Sequence, residues 1–229
     1  MTGAGLRVMS TLAVRGAIDA LAASKDNPLA GMDVDFAPTA VLLKRIAEGE
    51  GADVAILTAD GVDRLVGEGV LAKGSRRDLV LSPIGLAVRS GALHPRIDTL
   101  EAFVATLRAA PSLVYSRAGA SGIFFADLIE RLGLADDMAK KATVIPSGFT
   151  AEIVARGDAD LAIQQVSELL VIPGIEVVGR LPEGAQQIST FSAGLFAASA
   201  RQAEARALIE ALASPALADI YEASGLVPV

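Results

Sequence analysis

Residues 112–134, SLVYSRAGASGIFFADLIERLGL, read as a short buried strand, a loop of small residues and then a helix. Leu113, Val114 and Tyr115 form the strand. Apart from Arg117, no side chain of the loop Ser116–Gly122 is large enough to keep a ligand off the backbone. Ser121 stands where an N-cap belongs, ahead of the periodic apolar run Ile123, Phe124, Leu128, Ile129 and Leu132, and Gly133 closes the helix. A helix that starts at such a loop aims unpaired N–H groups and the positive end of its dipole at one place, which favours an anion. The chain is therefore read as built around an anion pocket, with this loop as half of it.

Outward from that stretch, strands and helices alternate in both directions. Arg7–Ser10, Asp33–Ala37 and Asp53–Leu57 are predicted strands, followed by helices over Val14–Ala23, Ala40–Glu48 and Asp60–Glu68. Short apolar strands separated by amphipathic helices imply parallel strands with helical crossovers. The pattern changes at Asp78–Ser90, DLVLSPIGLAVRS, a long extended segment broken by Ser82-Pro83; proline inside a strand-like run marks an edge, a bulge or a passage between sheets. A second series follows. Helices over Leu100–Ala109, Gly122–Leu132 and Phe149–Ala155 alternate with strands Leu113–Tyr115, Ala142–Ile145 and Leu161–Gln165. Gly174–Leu181 and Thr190–Ser199 read as extended, the second as a return crossing, and helices Ala203–Ala213 and Pro215–Glu222 end the chain. The expected architecture is α/β and two-lobed, each lobe a mostly parallel sheet flanked by helices. Lobe I takes residues 1–82 plus 190–229 and lobe II takes 83–189, joined by a two-segment hinge.

Composition narrows the function classes. Hydrophobic residues are 52% of the 229 and mean hydropathy is +0.49, yet no apolar run nears the ~18 residues of a membrane span, so no membrane insertion is expected. The formal charge of −7 and the lack of a basic run argue against nucleic acid. A small anionic ligand remains compatible, because helix termini can create a local positive site in an acidic protein. With no cysteine there is no disulfide and no thiolate chemistry. Met1-Thr2-Gly3-Ala4-Gly5 has no basic n-region, apolar h-region or cleavage site. That predicts a cytoplasmic protein as written, or a periplasmic one whose export signal has been removed; if it is exported, an ABC permease is the expected partner.

The loops after the strands share a composition. They contain Ser10-Thr11, Pro38-Thr39, Thr58-Ala59-Asp60, Ser116–Gly122, Pro146–Thr150 and Gln164–Glu168. Each offers hydroxyls, amides or N–H groups at a helix start. Singly, such residues are ordinary caps; together they make a case for ligand binding beyond the carboxyl ends of the strands.

The segments LRVMSTLAVRGAIDAL, VDFAPTAVLLKRIAEGEGADVAILTADGVDRLVGEGVL, ASGIFFADLIERLGL, FTAEIVARGDADLAIQQVSELL and SPALADIYEASGLVP resemble the molybdate-binding-protein branch of type II periplasmic binding proteins, in the same order along nearly the whole chain. That branch also resembles bacterial aconitate isomerases. The resemblance implies two α/β lobes and an oxyanion held in the cleft by hydroxyls and backbone amides. It implicates Ser10, Thr39, Thr58, Ser121, the turn of Ser147, Gly148 and Phe149, and Gln165; Thr11, beside Ser10, is a further ligand-binding candidate. Where molybdate binders carry a serine run, this chain has Pro38-Thr39-Ala40; where they carry a cleft tyrosine, it has Gln165, with Gln164 beside it as a second amide donor. Arg117 adds a fixed charge that a carboxylate would welcome. The expected function is to bind a small organic anion, a di- or tricarboxylate, as a solute-binding protein or sensor. The alternative is an isomerase that moves a proton on an unsaturated polycarboxylate.

Such a proton shift needs a base and a site that stabilises an enolate-like anion. Tyr115 and Glu168 are the candidates for the base. Packing is the commoner role for Tyr115, and N-terminal capping for Glu168 and Asp60. His94, the only histidine, lies in a surface-type turn. No metal-ligand spacing, phosphate-binding loop or dinucleotide fingerprint is present, and no cofactor is expected.

Overall fold

The computed structural model of the protein describes residues 5–24 and 30–229; the Met1–Ala4 start, on which the export reading rests, lies outside the described residues. The chain divides into two compact units, Met1–Ser82 with Ser189–Val229, and Pro83–Ile188.

In the first unit, strands β1 (Arg7–Ser10), β2 (Asp33–Phe36) and β3 (Val54–Thr58) pair in parallel, with β1 in the middle. Helices α1 (Arg15–Ala22), α2 (Thr39–Ala47) and α3 (Ala59–Gly67) follow them in turn. The strand β4 (Arg77–Arg89) leaves this unit after Ser82 and continues into the second. The inner strands β1 and β3 bury apolar side chains on both faces because both faces of the sheet are covered, whereas the edge strand β2, Asp33-Val34-Asp35-Phe36, is at most partly buried. Val8, Val54 and Ile56 pack with Ile18 and Leu21 of α1. The alternate residues Met9, Ala55 and Leu57 pack with Leu42 of α2 and Leu65 of α3.

The second unit repeats the plan. Helix α4 (Leu100–Ala109) precedes β5 (Leu113–Ser116), α5 (Ala120–Arg131), the short α6 (Ala135–Ala139), β6 (Ala142–Ile145), α7 (Thr150–Ala155), β7 (Leu161–Gln165) and α8 (Val166–Leu169). Strand β5 pairs in parallel with β6 on one side and β7 on the other. The Ile84–Ala87 part of β4 runs antiparallel to β7, and β8 (Ile175–Arg180) runs antiparallel to β4, with a register shift between Leu86 and Ala87. One sheet face buries Leu113, Leu161 and Ile163 against Phe103, Phe125 and Leu128. The other carries the small residues Ala87, Val114 and Ala162, on which Ala151 and Val154 of α7 lie close.

The chain then returns to the first unit. Strand β9 (Ile188–Leu195) runs antiparallel to β3, α9 (Gln202–Leu212) and α10 (Ala218–Ala223) cover the α1 side, and β10 (Val227–Pro228) pairs with Leu81 and Val80. The C-terminal helix predicted over Pro215–Glu222 splits: Ser214 caps a 3-10 turn at Pro215–Leu217 before α10 begins. No helix among the described residues is long and apolar enough to cross a membrane.

Candidate functional site

Parallel pairing brings the carboxyl ends of β6, β5 and β7 to one edge of the second unit's sheet, so the three following loops lie side by side. Ser116 is in register with Ile145, and the Arg117 N–H donates to the Ile145 carbonyl at 2.8 Å. In the loop after β5, the buried Ser116 Oγ accepts from the Gly119 N–H at 3.2 Å. Gly119 is the N-cap of α5 and, being glycine, contributes no side-chain cap. The N–H groups of Gly122 and Ile123 turn back to the Gly119 carbonyl, whereas those of Ala120 and Ser121, at the start of the helix, have no intrahelical acceptor.

Ser121 is therefore not the cap its position in the sequence suggests. Ser116 closes the loop instead, the helix begins at Ala120, and Ser121 falls inside the first turn. Its side chain is 1% exposed, and its Oγ has no hydrogen-bond partner among the described residues. A buried hydroxyl without a partner costs about 1–3 kcal/mol, so its place at a helix start that also carries spare N–H groups needs an explanation. Arg117, in the same loop, is exposed, and its guanidinium makes no ion pair among the described residues.

The neighbouring turn holds Ser147, exposed, Gly148 with φ +98°, and Phe149, buried at the start of α7. Gln164, read from sequence as an amide donor to the ligand, is occupied internally. Its Oε1 accepts from Thr150 N–H at 2.7 Å and from Thr150 Oγ1 at 2.8 Å. Its Nε2 donates to the Gly148 carbonyl at 2.9 Å and to the Glu168 carboxylate. Strand alternation sends the buried Gln165 to the opposite face, where it pairs across the ladder with Ile84.

Of the two candidate bases, Tyr115 is partly buried and Glu168 buried. The Tyr115 ring meets Phe125 edge-on, at 5.2 Å between centroids, as a packing residue. Glu168 is buried; loss of hydration pushes its carboxyl up to about 7, against the opposing effect of hydrogen bonds from the Gln164 side chain and the Gln165 N–H. His94 is a surface residue whose Nε2 lies 2.9 Å from Glu176.

The first unit has its own edge of donors. Ser10 is fully buried and its Oγ donates to the Thr11 carbonyl at 3.3 Å. Thr39 Oγ1 accepts from the Thr58 N–H at 3.3 Å. The two threonine side chains converge over Gly61 in the first turn of α3, where an added Cβ would lie 3.2 Å from Thr39 Cγ2 and 3.3 Å from Thr58 Oγ1. Thr11 and Thr58 hold N-cap positions without using their hydroxyls as caps. Sequence reading missed Arg15 here. Its guanidinium lies 5.5 Å over the Phe36 ring, and Phe36 is the β2 partner of Ser10. Only the folded ladder brings Arg15 and Phe36 together. Among the described residues, no group of three His, Asp or Glu side chains is placed to hold a metal ion.

The chain is 37% identical to an aconitate isomerase from Pseudomonas sp. over 231 residues, covering 98% of this chain and 88% of that protein. Among solved structures, the periplasmic molybdate-binding protein of Azotobacter vinelandii superposes with a TM-score of 0.81 at 17% identity, covering 98% of this chain and 99% of the other. The sulfate-binding protein SubI of Mycobacterium tuberculosis H37Rv superposes with a TM-score of 0.72 at 15% identity, covering 98% and 87%. At those identities the superpositions establish a shared type II periplasmic-binding-protein fold. The model for the bacterial extracellular solute-binding protein family matches residues 6–227, and with that span matched the chain belongs to this family.

Proposed function

We propose that the protein binds a small organic anion with two or three carboxylates at the β5–α5 loop. The observation that carries this reading is the Ser121 hydroxyl, buried and without a partner at the start of a twelve-residue helix. One carboxylate oxygen there would accept from Ser121 Oγ and from the spare N–H groups of the first turn, at the positive end of the helix dipole. Arg117 distinguishes the ligand class. A tetrahedral oxyanion is held well by neutral donors, whereas a planar carboxylate gains from a guanidinium that can meet both its oxygens.

A second reading is favoured by the aconitate isomerase relative: the bound polycarboxylate undergoes an allylic proton shift. A C–H bond next to the double bond breaks, the electron pair delocalises into a carboxylate-stabilised dienolate, and a proton returns at the former vinyl carbon as the double bond moves. The helix start would stabilise the charge that develops.

The test is a panel of cis-aconitate, trans-aconitate, tricarballylate, succinate, molybdate and sulfate, read by melting temperature and calorimetry. The tri- and dicarboxylates are expected to stabilise the protein and the inorganic oxyanions to do so less. The Ser121→Ala, Arg117→Ala double variant is expected to bind the best of them at least about tenfold more weakly, since hydrogen bonds to charged groups contribute about 1.5–3 kcal/mol each. Unchanged affinity in that variant would sink the assignment, as would a panel in which no anion raises the melting temperature. Proton NMR in deuterated buffer separates the two readings. An isomerase converts cis- to trans-aconitate; a binder leaves it unchanged.

A further inference from the structure

The anion loop does not stand alone at its edge of the sheet. The turn of residues 146–149 lies beside it, tied by the Arg117–Ile145 hydrogen bond, and that turn is held from below by one buried amide. All the hydrogen-bonding capacity of the Gln164 side chain is used: two bonds into Thr150, one to the Gly148 carbonyl and one to Glu168. An amide is nearly symmetric in shape, so shape alone does not decide which end faces the turn. Reversing the amide would set two donors, Nε2 and the Thr150 N–H, against each other. A carboxyl held by the Gln165 N–H presents an acceptor to Gln164, which favours the same arrangement, Nε2 facing Glu168 and Gly148 with Oε1 left for Thr150.

We propose that Gln164 and Glu168 are positioning residues of the anion site, with Glu168 reinforcing the direction of the Gln164 amide and Gln164 fixing the Gly148–Thr150 turn. As an account of a binding site, this rests on the anion reading above; the network itself does not. It also makes the site sensitive to protons. A neutral carboxyl and an ionised one both keep an oxygen available to Gln164, so the turn is held in either state, but the ionised form adds a buried negative charge to the unit that receives the anion. Glu168 forms no ion pair among the described residues, and its proton affinity is set by burial and two hydrogen bonds alone. Strand β7 has no ionisable side chain, α7 carries Glu152, β8 carries Glu176 and Arg180, and the second-unit part of β4 carries Arg89. None of these contributes to the elevated proton affinity of Glu168, which burial produces. Anion binding is thereby expected to strengthen as pH falls from 8 to 6.

Two measurements test this. The first needs no ligand: amide hydrogen exchange at Thr150, with the Val114 amide in β5 as the reference for global opening. Protection of Thr150 relative to Val114 is expected to fall at least tenfold in Glu168→Ala and in Gln164→Leu, and to be restored in Glu168→Gln, which keeps an oxygen acceptor. Unchanged relative protection in Glu168→Ala overturns the positioning role. The second is the pH profile of trans-aconitate affinity, expected to weaken several-fold from pH 6 to pH 8 in the wild type and to be flat in Glu168→Gln. Parallel profiles in the two proteins would overturn the proton linkage. If trans-aconitate binds neither protein at either pH, the carboxylate reading fails with respect to that probe, and the exchange result still decides whether Gln164 and Glu168 position the turn.

Discussion

Replacing Gly122 with alanine is expected to lower the melting temperature by several degrees and to abolish anion binding at the β5–α5 loop. Helix α5 crosses the end of β5 so closely that a Cβ on Gly122 would sit 1.6 Å from the Ser116 carbonyl oxygen and 2.6 Å from its carbon. Those are backbone atoms of a buried strand end, paired with Ile145, and cannot swing aside as a side chain would. The helix start must back away from the strand. Overpacking typically costs about 1–3 kcal/mol, and more where backbone must move; the opposing gain from putting alanine in a helix is about 1 kcal/mol. A net loss of ~2 kcal/mol corresponds to roughly 4–8 °C for a chain of this length. The control is Gly67→Ala. Gly67 ends α3 with nothing within 4 Å of where its Cβ would stand, so the same substitution should be neutral or stabilising by up to about 1 kcal/mol. Thermal melts and calorimetry of both variants check the pair; a Gly122→Ala protein as stable as Gly67→Ala would refute the close crossing.

That crossing also shows where sequence reading stops. The alternation of strands and helices was legible because each strand is a short apolar run and each helix carries one apolar stripe, and Arg7–Ser10, Leu100–Ala109, Ala142–Ile145 and Leu161–Gln165 form over the predicted residues. Elements that local pattern cannot support were invisible. The four residues of α8 and five of α6 are too short to nucleate alone, and β10 is two residues, one of them Pro228, paired to β4 across the chain. At the site, the loop after β5 was legible as a helix start, but its internal assignments were not. Two serines compete for the capping role, and the close approach at Gly122 fixes the helix start at Ala120, which gives the role to Ser116 and buries Ser121 unpartnered. One signal was available and would have separated Gln164 from Gln165: adjacent strand residues face opposite ways, so the two side chains do not share a face of the sheet. That Gln164 braces Thr150 depends on packing between α7 and β7, which no local pattern encodes.

Glu168→Gln is expected to make the protein more stable at pH 8 while leaving it little changed at pH 4.5. Burial lifts the Glu168 carboxyl from an ordinary value of 4.5 to about 7 in the folded protein. With the folded value the higher one, the native state holds a proton that the unfolded chain has already released at any pH between the two. Stability therefore falls as pH rises from about 4.5 and levels off above about 7. A gap of about 2.5 pH units amounts to roughly 3 kcal/mol at 1.36 kcal/mol per unit, or on the order of 6–12 °C in melting temperature. Glutamine keeps an oxygen for Gln164 and the Gln165 N–H and never ionises, so it removes this loss. Other carboxyls do not blur the window. Glu50 is lowered to about 2 by its hydrogen bonds with Arg45, opposed by partial desolvation, and Asp98, Glu176 and Glu204 are also lowered, each chiefly by a side-chain hydrogen bond. What such groups contribute is present above the ordinary carboxylate range and lost only below it. The measurement is the difference in melting temperature between wild type and Glu168→Gln at half-unit steps from pH 4.5 to 8.5. A difference that grows through pH 5–7 and then holds constant identifies a carboxyl buried at the cost of its charge; a difference independent of pH means that Glu168 is ionised throughout, and the buried network then holds Gln164 by charge as well as by direction.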